Sequence, residues 1–246
     1  MGHPQPTLSP IKSPLSRKAE NKSPAFDRIK IFTIPDLLKQ PFLHELRSLI
    51  NASYSVHEEG LWSKTGDRLI TDTQIATEVG ENGFTGIAWS QNEIVGTVSV
   101  KKWEFGSSEG VIWKKPGFYA NWREDDNSST QVDDTLDTDF TVCEGDFEVL
   151  IVAVKPGAEY RKRGISESLL LACEEELKNR VLDIDESTRS LKIMLRVVRE
   201  MNGRYWSKKG FRVVGEKYYP PFTWDLERGF ILWAMRRDLE IPQSIK

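Results

Sequence analysis

The stretch "FEVLIVAVKPGAEYRKRGIS", Phe147 to Ser166, decides the fold. Its first eight residues are a nearly continuous apolar run of strand length, the pattern of a strand buried within a sheet. A turn follows, then three consecutive cations, Arg161, Lys162 and Arg163, and then Gly164. Beyond the glycine, Ile165, Leu169, Cys173 and Leu177 recur every four residues, so an amphipathic helix starts there. "LKIMLRVV", Leu191 to Val198, is another buried strand. Strand, helix and strand in that order imply one right-handed parallel crossover.

A helix that opens directly after a strand presents backbone N–H groups that have no partner inside the helix, and its dipole favours an anion there. Gly164 lacks a Cβ and admits close approach to the backbone, and Ser166 is small and carries a hydroxyl. The local pattern fits a phosphate or diphosphate site, and it fits equally a solvated basic turn without a ligand. Two familiar phosphate loops are excluded. A Walker loop needs Lys and Ser or Thr after its second glycine, where this chain has Ile165 and Ser166. A dinucleotide fingerprint needs three spaced glycines, and only Gly157 and Gly164 are near.

Working outward, "RIKIFTI" (Arg28 to Ile34) alternates as a first strand, and "PFLHELRSLINASY" has helical spacing with Pro41 in the first turn. Residues 55 to 80 read as a loop with a short helix. "FTGIAWS" and "EIVGTVSVKKW" flank Gln91-Asn92 as an antiparallel hairpin. "MNGRYWSKKGF" reads as a short helix ending at Gly210, and "FRVVGEKYY" and "FILWAMRRDL" close the chain as two strands. The fold class is therefore α/β, a mixed sheet flanked by helices. Residues 1 to 27, rich in Pro, Ser and Lys, read as a disordered tail, and 28–246 as a single domain interrupted by an acidic insertion near 104–145. Glu124 to Val154 holds ten Asp or Glu residues and no Lys or Arg. "DDNSSTQVDDTLDTD" lacks the mid-loop glycine and closing Glu of a calcium loop, so no metal site is expected.

The bulk numbers bound the function. Of 246 residues, 39% are hydrophobic and the net charge is −3, which gives no global attraction to nucleic acid. Two cysteines, Cys143 and Cys173, make neither a disulfide framework nor a zinc site. No run approaches a membrane span, and the start lacks a signal peptide's apolar region. The chain reads as soluble and cytoplasmic, with the nucleus as the other compartment. His3, His44 and His57 pair with no Cys or Asp in the sequence.

Arg161-Lys162-Arg163-Gly164-Ile165-Ser166 resembles the cofactor motif of the GNAT superfamily of acyl-CoA-dependent N-acyltransferases, Gln/Arg-x-x-Gly-x-Gly/Ala at a helix start. "VAVKP" is similar to that family's central strand ending, and "YWSKKGF" to its second signature. The element order from about 28 to 240 agrees as well. Ser166 departs from the pattern, standing where Gly or Ala is usual. Trp206 stands where the family's catalytic tyrosine is frequent, with Tyr205 beside it, and Arg199 replaces an Asn.

The resemblance implies a GNAT-type fold with a mostly antiparallel sheet, and acetyl-CoA as co-substrate. The parted strands at 147–154 and 191–198 would admit the pantetheine arm. Backbone of Val152 and Val154 would bond its amides, and an N–H at Val152 or Ala153 would polarise the thioester. Backbone from Lys162 through Arg163, Gly164 and Ile165 to Ser166 would hold the diphosphate, with charge from Arg161, and Trp206 would pack beside the pantetheine. Glu148, with Asp146 next, would take the amine's proton. Tyr205, Tyr218 or Tyr219 would protonate the thiolate. The implied activity is acetyl transfer to an amine acceptor, a small amine or a lysine side chain, by direct attack in a ternary complex. An acidic mouth would favour a cationic acceptor. Two alternatives stand beside it: a non-catalytic CoA-binding or interaction module, and transfer of a different acyl group. No motif speaks to the oligomeric state.

Overall fold

The computed structural model describes residues 26–55, 67–104, 113–120, 145–185, 187–225 and 228–241. Most of the tail and most of the acidic insertion, with Cys143, His3 and His57, fall outside them.

Seven strands form one sheet in the order β1-β2-β3-β4-β5-β7-β6. They are β1 (Arg28–Thr33), β2 (Phe84–Ser90), β3 (Glu93–Lys102), β4 (Phe147–Val154), β5 (Ser190–Val198), β6 (Arg212–Tyr219) and β7 (Phe230–Glu240). Among the described residues only β4 and β5 run parallel, joined by the long α4 (Ile165–Ile184), while every other neighbouring pair is antiparallel. Three helices among the described residues precede the hairpin: α1 (Ile34–Leu37), α2 (Leu43–Ser55) and α3 (Gln74–Val79). A π-helical turn (Arg199–Gly203) leads from β5 into α5 (Arg204–Lys208).

The first strand ends one residue sooner than the alternation suggests. Thr33 caps α1, its hydroxyl accepting from the Asp36 N–H, and Pro35 sits in the first turn, so Ile34 belongs to the helix. The apolar runs behave as their patterns require. Ile165, Leu169, Cys173 and Leu177 are all buried where α4 covers β1 to β5. Each such buried aliphatic side chain contributes about 1.5–3 kcal/mol. The helix sits close because β3 has a glycine beneath it: a Cβ on Gly96 would lie 2.8 Å from Ile165 Cγ2.

The opposite face carries two clusters. Helices α1 to α3 bury Leu37, Leu46, Ile50 and Ile75 against Ile87, Ile151 and Ala153. Beyond them, Trp103, Trp113, Met194, Phe230 and Leu232 pack over β5 and β7. Trp113 to Ala120, within the expected irregular insertion, is docked on the sheet edge. Lys114 and Glu216 exchange backbone hydrogen bonds of 2.8 and 3.0 Å, and the Glu216 carboxylate accepts the Tyr119 N–H at 3.0 Å.

Cys173 lies on the α4 stripe, 3.8 Å from the Val98 carbonyl, and burial pushes its thiol up to about 12. In a Cys143→Ser chain, a thiol reagent at pH 8 is expected to leave Cys173 untouched until denaturant unfolds the protein. Stoichiometric labelling of the native protein within minutes would contradict this packing.

Candidate active site

The site begins with a fault in the sheet. Strands β4 and β5 pair at Phe147↔Ile193 and Glu148↔Met194 and no further. On its other edge, β4 has Leu150 opposite Ser99 and Ala153 opposite Thr97, so Ile151 and Val152 together oppose Val98. This is a β-bulge, and Ile151 takes φ of 49°, a left-handed conformation that a β-branched residue rarely adopts. Leu150 and Ile151 consequently face the same side, while Val149 and Val152 face α4. Past the bulge, β4 turns away from β5 and leaves a slot.

Strand geometry orients the backbone along that slot. The Lys155 N–H donates to Val95 O on β3 at 2.9 Å. N–H groups alternate between a strand's two edges, so those of Val152 and Val154 face the gap, and Ala153, opposite Thr97, faces β3. The Val154 N–H meets Ser53 Oγ of α2 at 3.4 Å, a contact with no signal in the sequence. An extended amide-bearing arm fits such an edge, because the unpaired edge supplies the bonds a neighbouring strand would have made.

The slot runs to the start of α4. Gly164 is the N-cap residue at φ 78°, without a side-chain cap, and Lys162 is also left-handed at φ 57°. Left-handed residues alternating within a turn bring successive N–H groups into a concavity that suits an anion. The 20-residue helix adds its dipole. A Cβ added at Gly164 would meet nothing within 4 Å. The space over this glycine is therefore open to a ligand rather than filled by protein. Arg161 and Lys162 are exposed, and Arg163 and Ser166 are half-buried.

Tyr205 and Trp206 part company. Trp206 is buried in the α4-side core, edge-on to Phe211 at 5.4 Å. Tyr205 reaches the loop, its hydroxyl 2.9 Å from Ser166 Oγ. Counting four residues back from Gly210 favours Trp206 as the aromatic beside the slot. In the structure it is Tyr205, on the short α5 that follows a π-helical turn, that reaches Ser166.

Glu148 stands on the last rung where β4 and β5 still pair, on the face away from α4. It is 3% exposed, and Arg196 holds both its oxygens, Nε at 2.8 Å and Nη2 at 3.1 Å, with Lys101 Nζ 3.9 Å away. The Arg196 guanidinium lies 5.8 Å from the Trp103 ring centroid. The sequence carried a trace of this pair: Arg196 interrupts the apolar run "LKIMLRVV", and in the structure its side chain is 46% exposed while that of Glu148 is 4% exposed. Asp146 ties the two strands, its carboxylate accepting the Lys192 N–H at 2.7 Å. Tyr219 is stacked on Trp224 and Phe230, and Tyr218 is on the same outer strand, β6, with β7 between it and β5. His44 is exposed on α2 beside Asp72. Among the described residues no group of three or more His, Cys, Asp or Glu could hold a metal, and no helix is long and apolar enough to cross a membrane.

The sheet order, the parted parallel strands and the helix opening at their gap make the arrangement that the sequence resemblance implies. The architecture is a mixed, mostly antiparallel sheet flanked by helices. No family model matches the chain, and no curated protein matches it. Among solved structures it is similar to an aminoglycoside 6'-N-acetyltransferase complexed with coenzyme A, at 12% identity and TM-score 0.49, over 89% of this chain and 100% of that one. An acyl-CoA N-acyltransferase from Pseudomonas aeruginosa is similar at 13% identity and TM-score 0.47, over 85% and 98%. A ribosomal-protein-alanine N-acetyltransferase from Brucella melitensis is similar at 16% and 0.46, over 86% and 99%.

Gly164→Ala separates ligand binding from folding. The left-handed backbone strains an alanine by about 1–2 kcal/mol, and the protein offers it no clash. The expected result is a slightly lower Tm together with acetyl-CoA binding weakened more than about ten-fold, read by calorimetry, since the Cβ enters the space an anion needs. Unchanged affinity would show that no ligand approaches this backbone.

Proposed function

We propose that the chain transfers an acetyl group from acetyl-CoA to an amine acceptor by direct attack in a ternary complex. The observation that carries this reading is the slot: two parallel strands that part at a bulge, with edge N–H groups facing the gap and an open helix start at its end. Acetyl-CoA supplies an activated thioester. Val152 and Val154 would align the donor arm through their backbone, and the Val152 N–H would stabilise negative charge developing on the thioester oxygen. Backbone N–H groups from Lys162 to Ser166 would hold the diphosphate, with Arg161, Lys162 and Arg163 adding charge.

The amine's attack forms a C–N bond and breaks the C–S bond, releasing a thiolate and a proton from nitrogen. Glu148, bordering the closed end of the slot, would take that proton directly or through water. Holding the two reactants together supplies much of the rate in any case. The acceptor would approach on the face away from α4, where Glu148 and Arg196 lie and α2 reaches the slot through Ser53.

A second reading, a CoA-binding module without turnover, is favoured by one observation: both oxygens of Glu148 are already engaged by Arg196. The deciding experiment measures thiol release from acetyl-CoA across a panel of diamines, aminoglycosides and Lys-bearing peptides, beside calorimetry with CoA. Turnover with one class supports the transferase. CoA binding without turnover supports the module, and absence of CoA binding overturns both. Once an acceptor is found, Glu148→Gln is expected to lower kcat/KM by about 100-fold while the CoA dissociation constant stays within about two-fold. A loss of less than about three-fold would leave Glu148 as the structural partner of Arg196.

A further inference from the structure

The contact between α5 and the first turn of α4 stands apart from the packed core. Tyr205 is 38% exposed, and its hydroxyl meets Ser166 Oγ at 2.9 Å. Four residues on, just past the helix end, Lys209 Nζ lies 2.8 Å from Glu167 Oε2 and 5.7 Å from the Tyr205 ring centroid. Two bonds thus run side by side from the α5 region to consecutive residues of α4. Helix α4 follows β4 and α5 follows β5, the two strands that have separated. The latch rejoins across the slot what the bulge parts. Tyr205 and Ser166 also belong to two of the three places where the sequence leaves the pattern it resembles, and here those two side chains touch each other.

We propose that Tyr205 and Lys209 are positioning residues that act through Ser166 and Glu167, holding the first turn of α4 so that the Ser166 hydroxyl is aimed at the donor's diphosphate. This inference rests on the donor-binding reading given above. The chemistry of paired hydroxyls supports it. When the Tyr205 O–H donates to Ser166 Oγ, the serine hydrogen is left to point at a phosphate oxygen, and hydrogen bonds in series polarise one another. A glycine or alanine at 166 would give Tyr205 nothing to hold. The Lys209–Glu167 pair joins a half-buried lysine to an exposed carboxylate at the surface and so adds little to stability, which leaves geometry as its contribution. The side-chain hydrogen bond to Glu167 raises the Lys209 pKa, so the lysine stays charged through the neutral range. In this arrangement the Tyr205 hydroxyl serves the diphosphate end of the donor rather than the leaving sulfur.

The test compares two ligands by calorimetry: CoA, and S-acetylpantetheine, which keeps the arm and thioester but lacks the diphosphate. Tyr205→Phe is expected to weaken CoA binding by up to about ten-fold, the upper end for a lost hydrogen bond between uncharged groups, and to leave S-acetylpantetheine within about two-fold. Ser166→Ala should do the same, and the double variant should bind CoA no worse than either single one. Lys209→Met should weaken CoA about three-fold with the same ligand selectivity. Equal losses with both ligands, additive losses in the double variant, or unchanged CoA affinity in Tyr205→Phe would each overturn the inference. Failure of the wild-type chain to bind CoA would overturn the underlying donor reading instead, so the two failures are distinguishable. Melting temperatures of all variants within a few degrees of wild type confirm that folding is not the quantity being read.

Discussion

The left-handed backbone at Ile151 is the constraint on which the rest depends. A β-branched residue in that conformation carries a strain of about 1–3 kcal/mol and persists only where its surroundings over-determine it. Here they do. Ile151 is buried under α2 with Leu150 beside it, and β3 continues past the bulge in register on both sides. Without the extra residue, β4 would go on pairing with β5, and the sheet would be closed where the slot now lies.

The bulge also sorts the chemistry by face. On the α4 side it leaves Val152 and Val154 toward the helix core while their N–H groups look into the gap, in line with the open turn at Gly164. On the other side it leaves Glu148, Arg196, Lys101 and Trp103 gathered at the last paired rung. A donor and an acceptor entering from opposite faces would meet near the point where the strands separate. A buried carboxylate so close to that point is stabilised only because it is paired, since an unpaired one would carry a heavy desolvation penalty. Arg196 therefore serves two ends at once, permitting the charge to be buried and fixing where it stands.

Much of this was legible in the chain. "FEVLIVAV" had the length and continuity of a buried strand, and the four-residue recurrence from Ile165 to Leu177 placed α4 and its buried stripe. The turn at Gln91-Asn92 fell between two alternating runs. Gly164 after three cations marked the helix start, because few other residues take that backbone. The Glu148–Arg196 pair left a trace as well, a cation in the middle of an apolar strand. What had no trace was the bulge: nothing in "VLIVAV" distinguishes Ile151 from its neighbours, since every residue there is apolar. The π-helical turn was equally hidden, as were the burial of Trp206 and the contact of Tyr205 with Ser166.

The sequence by itself determined the elements, their order and their buried faces, because periodicity and turn chemistry act between residues close along the chain. Only the tertiary structure decided where β4 leaves β5, which aromatic of "YW" faces "YRKRGIS", and that Ser53 reaches Val154 across a hundred residues of chain. Those outcomes are set by packing between distant segments. A bulge is chosen by the register of the neighbouring strand and by the helix lying over it, a helical phase by what the preceding turn must clear, and a hydroxyl contact by the separation of two surfaces that meet only in the folded chain.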